Sequence, residues 1–162
     1  MVKSKIARGY WLMKSEAECF SFDDLWNAPQ HRTGWDGVRN YQARNFIRDG
    51  MQEGDGVLFY ASNAEPSGVT GLAKIERAAY PDEFAFKKGH KYFDPASRRA
   101  DPVWYAVDIG FVERFPATVP LDVLKSTKGL ESMVVTQKGS RLSVQPVTKA
   151  EYDIVVKLGR QG

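Results

Sequence analysis

An indole between glycines, followed closely in the chain by two guanidiniums, can hold a flat ligand that also carries negative charge. Residues Gly34–Phe46, reading GWDGVRNYQARNF, contain that combination. Gly34 and Gly37 leave the backbone around Trp35 free to turn, so the ring need not pack beneath its neighbours. Asn40 is a good N-cap, and the spacing predicts a helix from there to Asp49, ended by Gly50. Ala43, Phe46 and Ile47 would face the core, while Gln42, Arg44, Asn45 and Arg48 lie on other faces. A helix N-terminus beside an aromatic platform suits an anionic or base-bearing ligand. The same residues are compatible with a surface tryptophan and an ordinary amphipathic helix, with Arg44 and Arg48 bridging to acidic side chains.

A second cluster is Lys14-Ser15-Glu16. A desolvated lysine can act as base or nucleophile, and a nearby carboxylate can shuttle its proton. Lys14 could equally be a hydrogen-bond donor to a ligand or to a carboxylate such as Asp108. Other chemistries find no support. His31 and His90 are far apart in sequence and Cys19 is the sole cysteine, so no metal site is expected. There is no Walker loop and no dinucleotide fingerprint, hence no expected cofactor. Neither Ser15 nor Ser143 has a histidine at a recognised spacing.

The elements that must position these groups are short. Gly9–Lys14 reads as an aromatic-rich strand that delivers Lys14, Ser15 and Glu16 at its end. Ser21 and Asp24 form a capping box for a helix over Phe22–Asn27, stopped before Pro29, and Pro29–Thr33 reads as a loop. Val57–Ala61 is a strand apolar on both faces, and Val69–Arg77 another with Gly71 at a bulge or bend. Val103–Phe115 is a long strand carrying Asp108, which needs a partner if buried. Pro120–Lys125 gives a helical turn, Arg141–Gln145 a last strand, and Thr148 with Glu151 caps a helix over Lys149–Leu158, closed by Gly159. Pro81–Pro102 has no clear period and holds Lys87, Lys88, Lys91, Arg98 and Arg99 among aromatics. Such a mixture suits contact with a nucleic-acid backbone, or a solvated loop pinned by its rings.

The whole chain sets bounds. Its 162 residues fit one domain, 1–162, with 43% hydrophobic and 27% charged residues. A net charge of +3 is mildly basic and does not by itself establish a nucleic-acid partner. The stretch before Tyr10 has Lys3, Lys5 and Arg8 but no apolar run, so neither a leader nor a membrane anchor is expected there. No apolar segment is long enough to span a bilayer, and a lone cysteine fits a reducing compartment, cytoplasmic or, in a eukaryote, nuclear. Short strands mixed with few helices argue for α+β with a small curled sheet or barrel.

The segment WDGVRNYQARN resembles the signature of the EVE domain, a PUA-like fold. YWLMKSE at Tyr10–Glu16 resembles that family's first strand, and FYASN from Phe59, AYPD from Ala79 and RLSVQP from Arg141 also match in order. Together they span about residues 10–158. The resemblance implies a PUA-like β-barrel flanked by short helices, and a monomeric, non-catalytic module that accepts a modified, flipped base of DNA or RNA, as the more distant YTH and SRA readers do. It implies Trp35 for stacking and Lys14, Ser15, Asn40, Ser62, Asn63, Asp108 and Ser143 for the base edge. Tyr60 serves as wall or core, and Val38, Leu142 and Val144 supply apolar contact to an added methyl. Arg39 and Arg44 become phosphate contacts, joined on composition alone by Lys87, Lys88, Lys91, Arg98 and Arg99. Two alternatives remain: an amidohydrolase acting on modified nucleosides through Lys14 and Glu16, as in ASCH proteins, and a protein-interaction adaptor with a vestigial pocket.

Overall fold

The computed structural model describes residues 9–161. The basic N-terminal stretch with Lys3, Lys5 and Arg8, and Gly162, lie outside them. In chain order the elements are β1 (Tyr10–Glu16), α1 (Phe22–Asn27), β2 (Arg32–Trp35), α2 (Tyr41–Asn45), β3 (Gly56–Ser62), β4 (Gly68–Pro81), β5 (Tyr105–Pro120), α3 (Leu121–Ser126), β6 (Val144–Val147) and α4 (Lys149–Gln161). The strands form one sheet in the order β2-β5-β4-β3-β1-β6. Only the β1–β3 pair is parallel. The sheet curls, but its edge strands β2 and β6 are not hydrogen-bonded to each other, so the expected barrel is left open along one seam.

Both faces of the sheet are covered, which is why β1 and β3 read as unbroken apolar runs. Trp11, Met13, Val57, Phe59, Ile75, Val107 and Ile109 point to one side, where Phe22 and Leu25 of α1 and Ala43 of α2 close over them. Leu12, Leu58, Leu72, Phe115 and Val119 point to the other, under Leu124 of α3 and Val155 of α4. Burying each such side chain contributes roughly 1.5–3 kcal/mol.

Local signals place the helices. Ser21 accepts from the Asp24 amide at 3.0 Å, and Asp24 accepts from the Ser21 amide at 2.8 Å, completing the capping box. The Thr148–Glu151 pair does the same for α4 at 3.1 and 3.0 Å. Helix α4 runs on through Gly159 to Gln161. Gly159 is there for contact: a Cβ would lie 2.2 Å from the Phe115 ring.

Several further boundaries differ from the sequence expectation, β4 reaching Pro81 beyond Arg77 among them. Arg32–Trp35 is a strand paired with β5, a non-local partnership that a four-residue segment does not announce. The helix after Asn40 widens into a π-turn over Phe46–Gly50, with the Met51 amide on the Phe46 carbonyl at 2.9 Å, so Gly50 sits inside the last turn. Strand β5 begins at Tyr105 and runs past Phe115 to Pro120 because β4 pairs with it that far. The last strand begins at Val144, later than Arg141, since its ladder with β1 starts at the Met13–Val144 pair.

Candidate functional site

The open seam of the sheet holds a cavity of about 660 Å³. Its walls come from the end of β1 (Lys14, Ser15, Glu16), from β2 (Thr33–Trp35), from the following loop to Asn40, from Lys91 and Tyr92, and from Ser143 just before β6. Edge strand β2 thus forms one wall, and the end of β1 with the residue just before β6 forms another. The Lys14 amide donates to the Ser143 carbonyl at 2.8 Å and fixes one of them.

Trp35 is half-buried. Its ring meets Phe59 edge-on, centroids 6.0 Å apart at 84°, and packs against the first core. This corrects the expectation of a ring free of its neighbours: one edge is anchored in the core while the residue lines the cavity. Strand β2 is held by Asp108, which accepts from the Tyr80 hydroxyl at 2.5 Å and from Arg32 at 3.3 Å. Burial, then that hydrogen bond, raises the Tyr80 hydroxyl pKa, so the phenol stays a donor.

The loop after Trp35 is clamped by Asp82, which is 1% exposed. Its carboxylate accepts from the Gly37 amide at 2.8 Å, Arg39 at 3.0 Å and the Phe84 amide at 2.9 Å. Gly37 has φ +77, and a Cβ there would lie 2.5 Å from the Tyr92 ring. The guanidinium of Arg39 also donates to the Tyr92 carbonyl at 2.7 Å and lies between the Tyr92 and Trp104 rings. Its Nε is buried without a partner.

The structure brings together Lys14, Ser15, Trp35, Val38, Asn40, Ser143, Arg39 and Lys91. Their free valences differ. The Ser15 hydroxyl donates to the Phe20 carbonyl at 2.5 Å and keeps only its lone pairs. The Asn40 side-chain oxygen caps α2 through the Ala43 amide at 3.0 Å, leaving its NH₂ for a ligand. Lys14 has its pKa lowered by burial alone, and its ammonium sits 5.7 Å from the Tyr60 ring centroid.

Other expected members lie elsewhere. Tyr60 is 4% exposed and lines a neighbouring cavity with Lys14. Ser62, Asn63 and Leu142 line neither, and Asp108 is occupied by Tyr80 and Arg32, so it is no partner of Lys14. The charged residues divide likewise. Arg44 holds the Val103 carbonyl at 2.7 Å and Arg99 pairs with Glu83 at 2.9 Å. Arg48 pairs with Asp49 at 2.8 Å. Lys87, Lys88 and Arg98 are exposed outside the cavity wall, and Lys87 lies over the Phe84 ring. Across Pro81–Pro102, a 3-10 turn over Glu83–Phe86 and the bond from Trp104 Nε1 to Asp94 at 2.6 Å order the chain.

Among the lining and clamping residues, Asp36, Tyr92 and Asp82 receive no role from sequence reasoning. Asp36, at the exposed rim, has its pKa raised by burial and then by Asp82, against His90 and Arg39. Tyr92 completes the wall, and Asp82 sits in the AYPD segment as its acidic residue. Their signal is proximity across 45 or more residues, visible only after folding. Among the described residues, no group of three histidine, cysteine or acidic side chains could hold a metal, and no helix is long and apolar enough to cross a membrane.

Comparison with known proteins places the chain in a family. Residues 9–158 match the EVE domain. The chain is 43% identical to human thymocyte nuclear protein 1 over 92% of its own length and 73% of that protein's. The structure of human THYN1 in complex with 5-methylcytosine-containing DNA superposes with a TM-score of 0.88 at 41% identity, covering 95% of this chain and 99% of that one. A protein from Pseudomonas syringae gives 0.85 at 45% identity, covering 92% and 98%. The YTH domain of Zygosaccharomyces rouxii MRB1, at 12% identity and a TM-score of 0.54, shares the PUA-like fold.

Proposed function

The chain belongs to the EVE domain family, and on that footing we propose that it is a non-catalytic reader that takes a modified nucleobase of DNA or RNA into the cavity beside Trp35. One observation carries the reading: the signature residues Trp35–Asn40 line a cavity of about 660 Å³, in a chain 41% identical to human THYN1, whose structure was solved with 5-methylcytosine-containing DNA. Enclosing a flipped base needs an aromatic face, a few polar groups for its edge and cations for the flanking phosphates. Trp35 supplies the face, and buried Val38 supplies apolar contact for an added methyl. The Asn40 NH₂ donates to a base carbonyl. The Asp36 carboxylate, at the rim, accepts from an exocyclic amine such as that of cytosine. Lys14 and Lys91 are the wall cations not already engaged, Arg39 being paired with Asp82.

The test is a fluorescence titration with modified and unmodified nucleosides, run with thermal melting on Trp35→Ala. A stacked base is worth roughly 1–3 kcal/mol, so the variant should lose about one to two decades of affinity. Loss of a fully buried indole would cost roughly 3–5 kcal/mol of stability; a half-buried one should cost less. Lost stability with unchanged affinity would remove Trp35 from the site.

The amidohydrolase alternative would need Lys14 and Glu16 to exchange a proton. Lys14 packs over Tyr60 and the Glu16 carboxylate lies 3.7 Å from Cys19 Sγ, which favours the binding role. Multiple turnover of acylated or methylated nucleosides by the wild type would overturn it.

A further inference from the structure

A second cavity, of about 600 Å³, lies on the other flank of Lys14, which lines both. Lys125, at the end of α3, and Lys138 contribute two more ammonium groups, the Tyr60 ring lies in its wall, and no carboxylate lines it. Among the described residues none of the three lysines forms an ion pair. Contrast the arginines near the first cavity: Arg39, Arg44 and Arg99 are already engaged with Asp82, the Val103 carbonyl and Glu83. Three ammonium groups without an ion pair thus line the second cavity, against two, Lys14 and Lys91, at the first.

The partition between the cavities is thin. Ser140 lines the second and Ser143 the first, with the Ser143 carbonyl tied to the Lys14 amide. Three residues span at most roughly 10 Å of chain, and at ~3.4 Å per stacked nucleotide a strand covers that in about three nucleotides.

We propose that the Lys14–Lys125–Lys138 cavity seats a backbone phosphate of the same strand whose modified base occupies the first cavity. The inference rests on the reading of the first cavity as a base pocket. It assigns the two cavities different tasks: the first selects the base, while the second fixes the strand's register without reading its sequence.

Lys125 and Lys138 are exposed, so their loss should leave the fold intact. The experiment measures how binding of a DNA oligonucleotide containing 5-methylcytosine depends on salt, for wild type and for Lys125→Ala/Lys138→Ala. Lys128→Ala/Lys157→Ala serves as a control of equal charge change. The log–log slope should flatten by at least about 0.7 in the first variant, the contribution of one phosphate. It should stay unchanged in the control. Binding of 5-methyl-2′-deoxycytidine, which has no phosphate, should be the same for both variants and wild type.

An unchanged slope in Lys125→Ala/Lys138→Ala, with nucleoside binding intact, overturns the inference and leaves the base pocket standing. Inorganic phosphate that binds the wild type while that slope stays unchanged marks the cavity as a free-anion site and also overturns it. Equal flattening in the control reduces the effect to net charge and overturns the inference as well. A wild type that binds neither nucleoside nor oligonucleotide rejects the base pocket first, and the inference falls with it.

Discussion

Gly37 and Asp36 make opposite demands on the residues beside Trp35. Gly37 holds φ +77 with the Tyr92 ring where a Cβ would be. Gly37→Ala combines left-handed strain with a clash and should destabilise by about 1–3 kcal/mol, which thermal melting reads directly. Asp36 works the other way. Its pKa is raised, first by burial and then by Asp82, so the folded state prefers the protonated acid. The penalty is absent below the carboxyl's ordinary value of 3.8 and grows as pH rises through the raised one. Asp36→Asn should therefore raise the melting temperature slightly at neutral pH, with the gain vanishing toward pH 3; solvent screening at the rim keeps it small. A gain that grew on acidification would reverse the sign and contradict the assignment. Trp35 was legible as a cavity-lining residue from its glycine flanks, but its packing against Phe59 was not, because that partner lies on another strand.

At the scale of elements, one buried carboxylate ties two distant segments together. Asp82 joins the end of β4 to the Gly37 and Arg39 loop, and through Arg39 to the Tyr92 carbonyl. Removing one partner of such a pair leaves the other charge desolvated. Asp82→Ala should cost about 3 kcal/mol, which at about 2–4 °C per kcal/mol lowers the melting temperature by roughly 6–12 °C. It should also weaken base binding by loosening the cavity wall. A change below about 2 °C would mean that the loop holds its shape without the clamp. Elements whose signals are local were legible in the sequence. The two capping boxes, the Asn40 cap and the doubly apolar β3 belong here, as does the irregularity at Gly71, where the β4–β5 register shifts. Strand β2 was not, since four residues RTGW become a strand only by pairing with Arg32's partner Gly110 and its neighbours. The π-turn was equally hidden, because its apolar spacing matches an ordinary helix until the Met51 amide reaches back to Phe46. Similarly, Pro81–Pro102 lacks periodicity yet is ordered by single side chains such as Asp82, Asp94 and Ser97.

For the whole molecule, the open sheet explains how so small a protein offers a cavity of this size. Closing β2 onto β6 would pair the edges; leaving them apart accompanies a cavity between β2 and the end of β1, with Lys14 lining both basins. The basic loop residues drew attention in the sequence by number, but charge counts alone cannot tell a spent guanidinium from a free ammonium. The measurement that tests the central claim most directly compares the affinity of the wild-type protein for two DNA oligonucleotides of one sequence, differing by a single 5-methyl group on cytosine. A methyl enclosed by an apolar wall is worth about 1–3 kcal/mol, or roughly 10–200-fold, so the methylated strand should bind at least about tenfold tighter. Equal affinity for the two strands would contradict a cavity that takes 5-methylcytosine as its modified base.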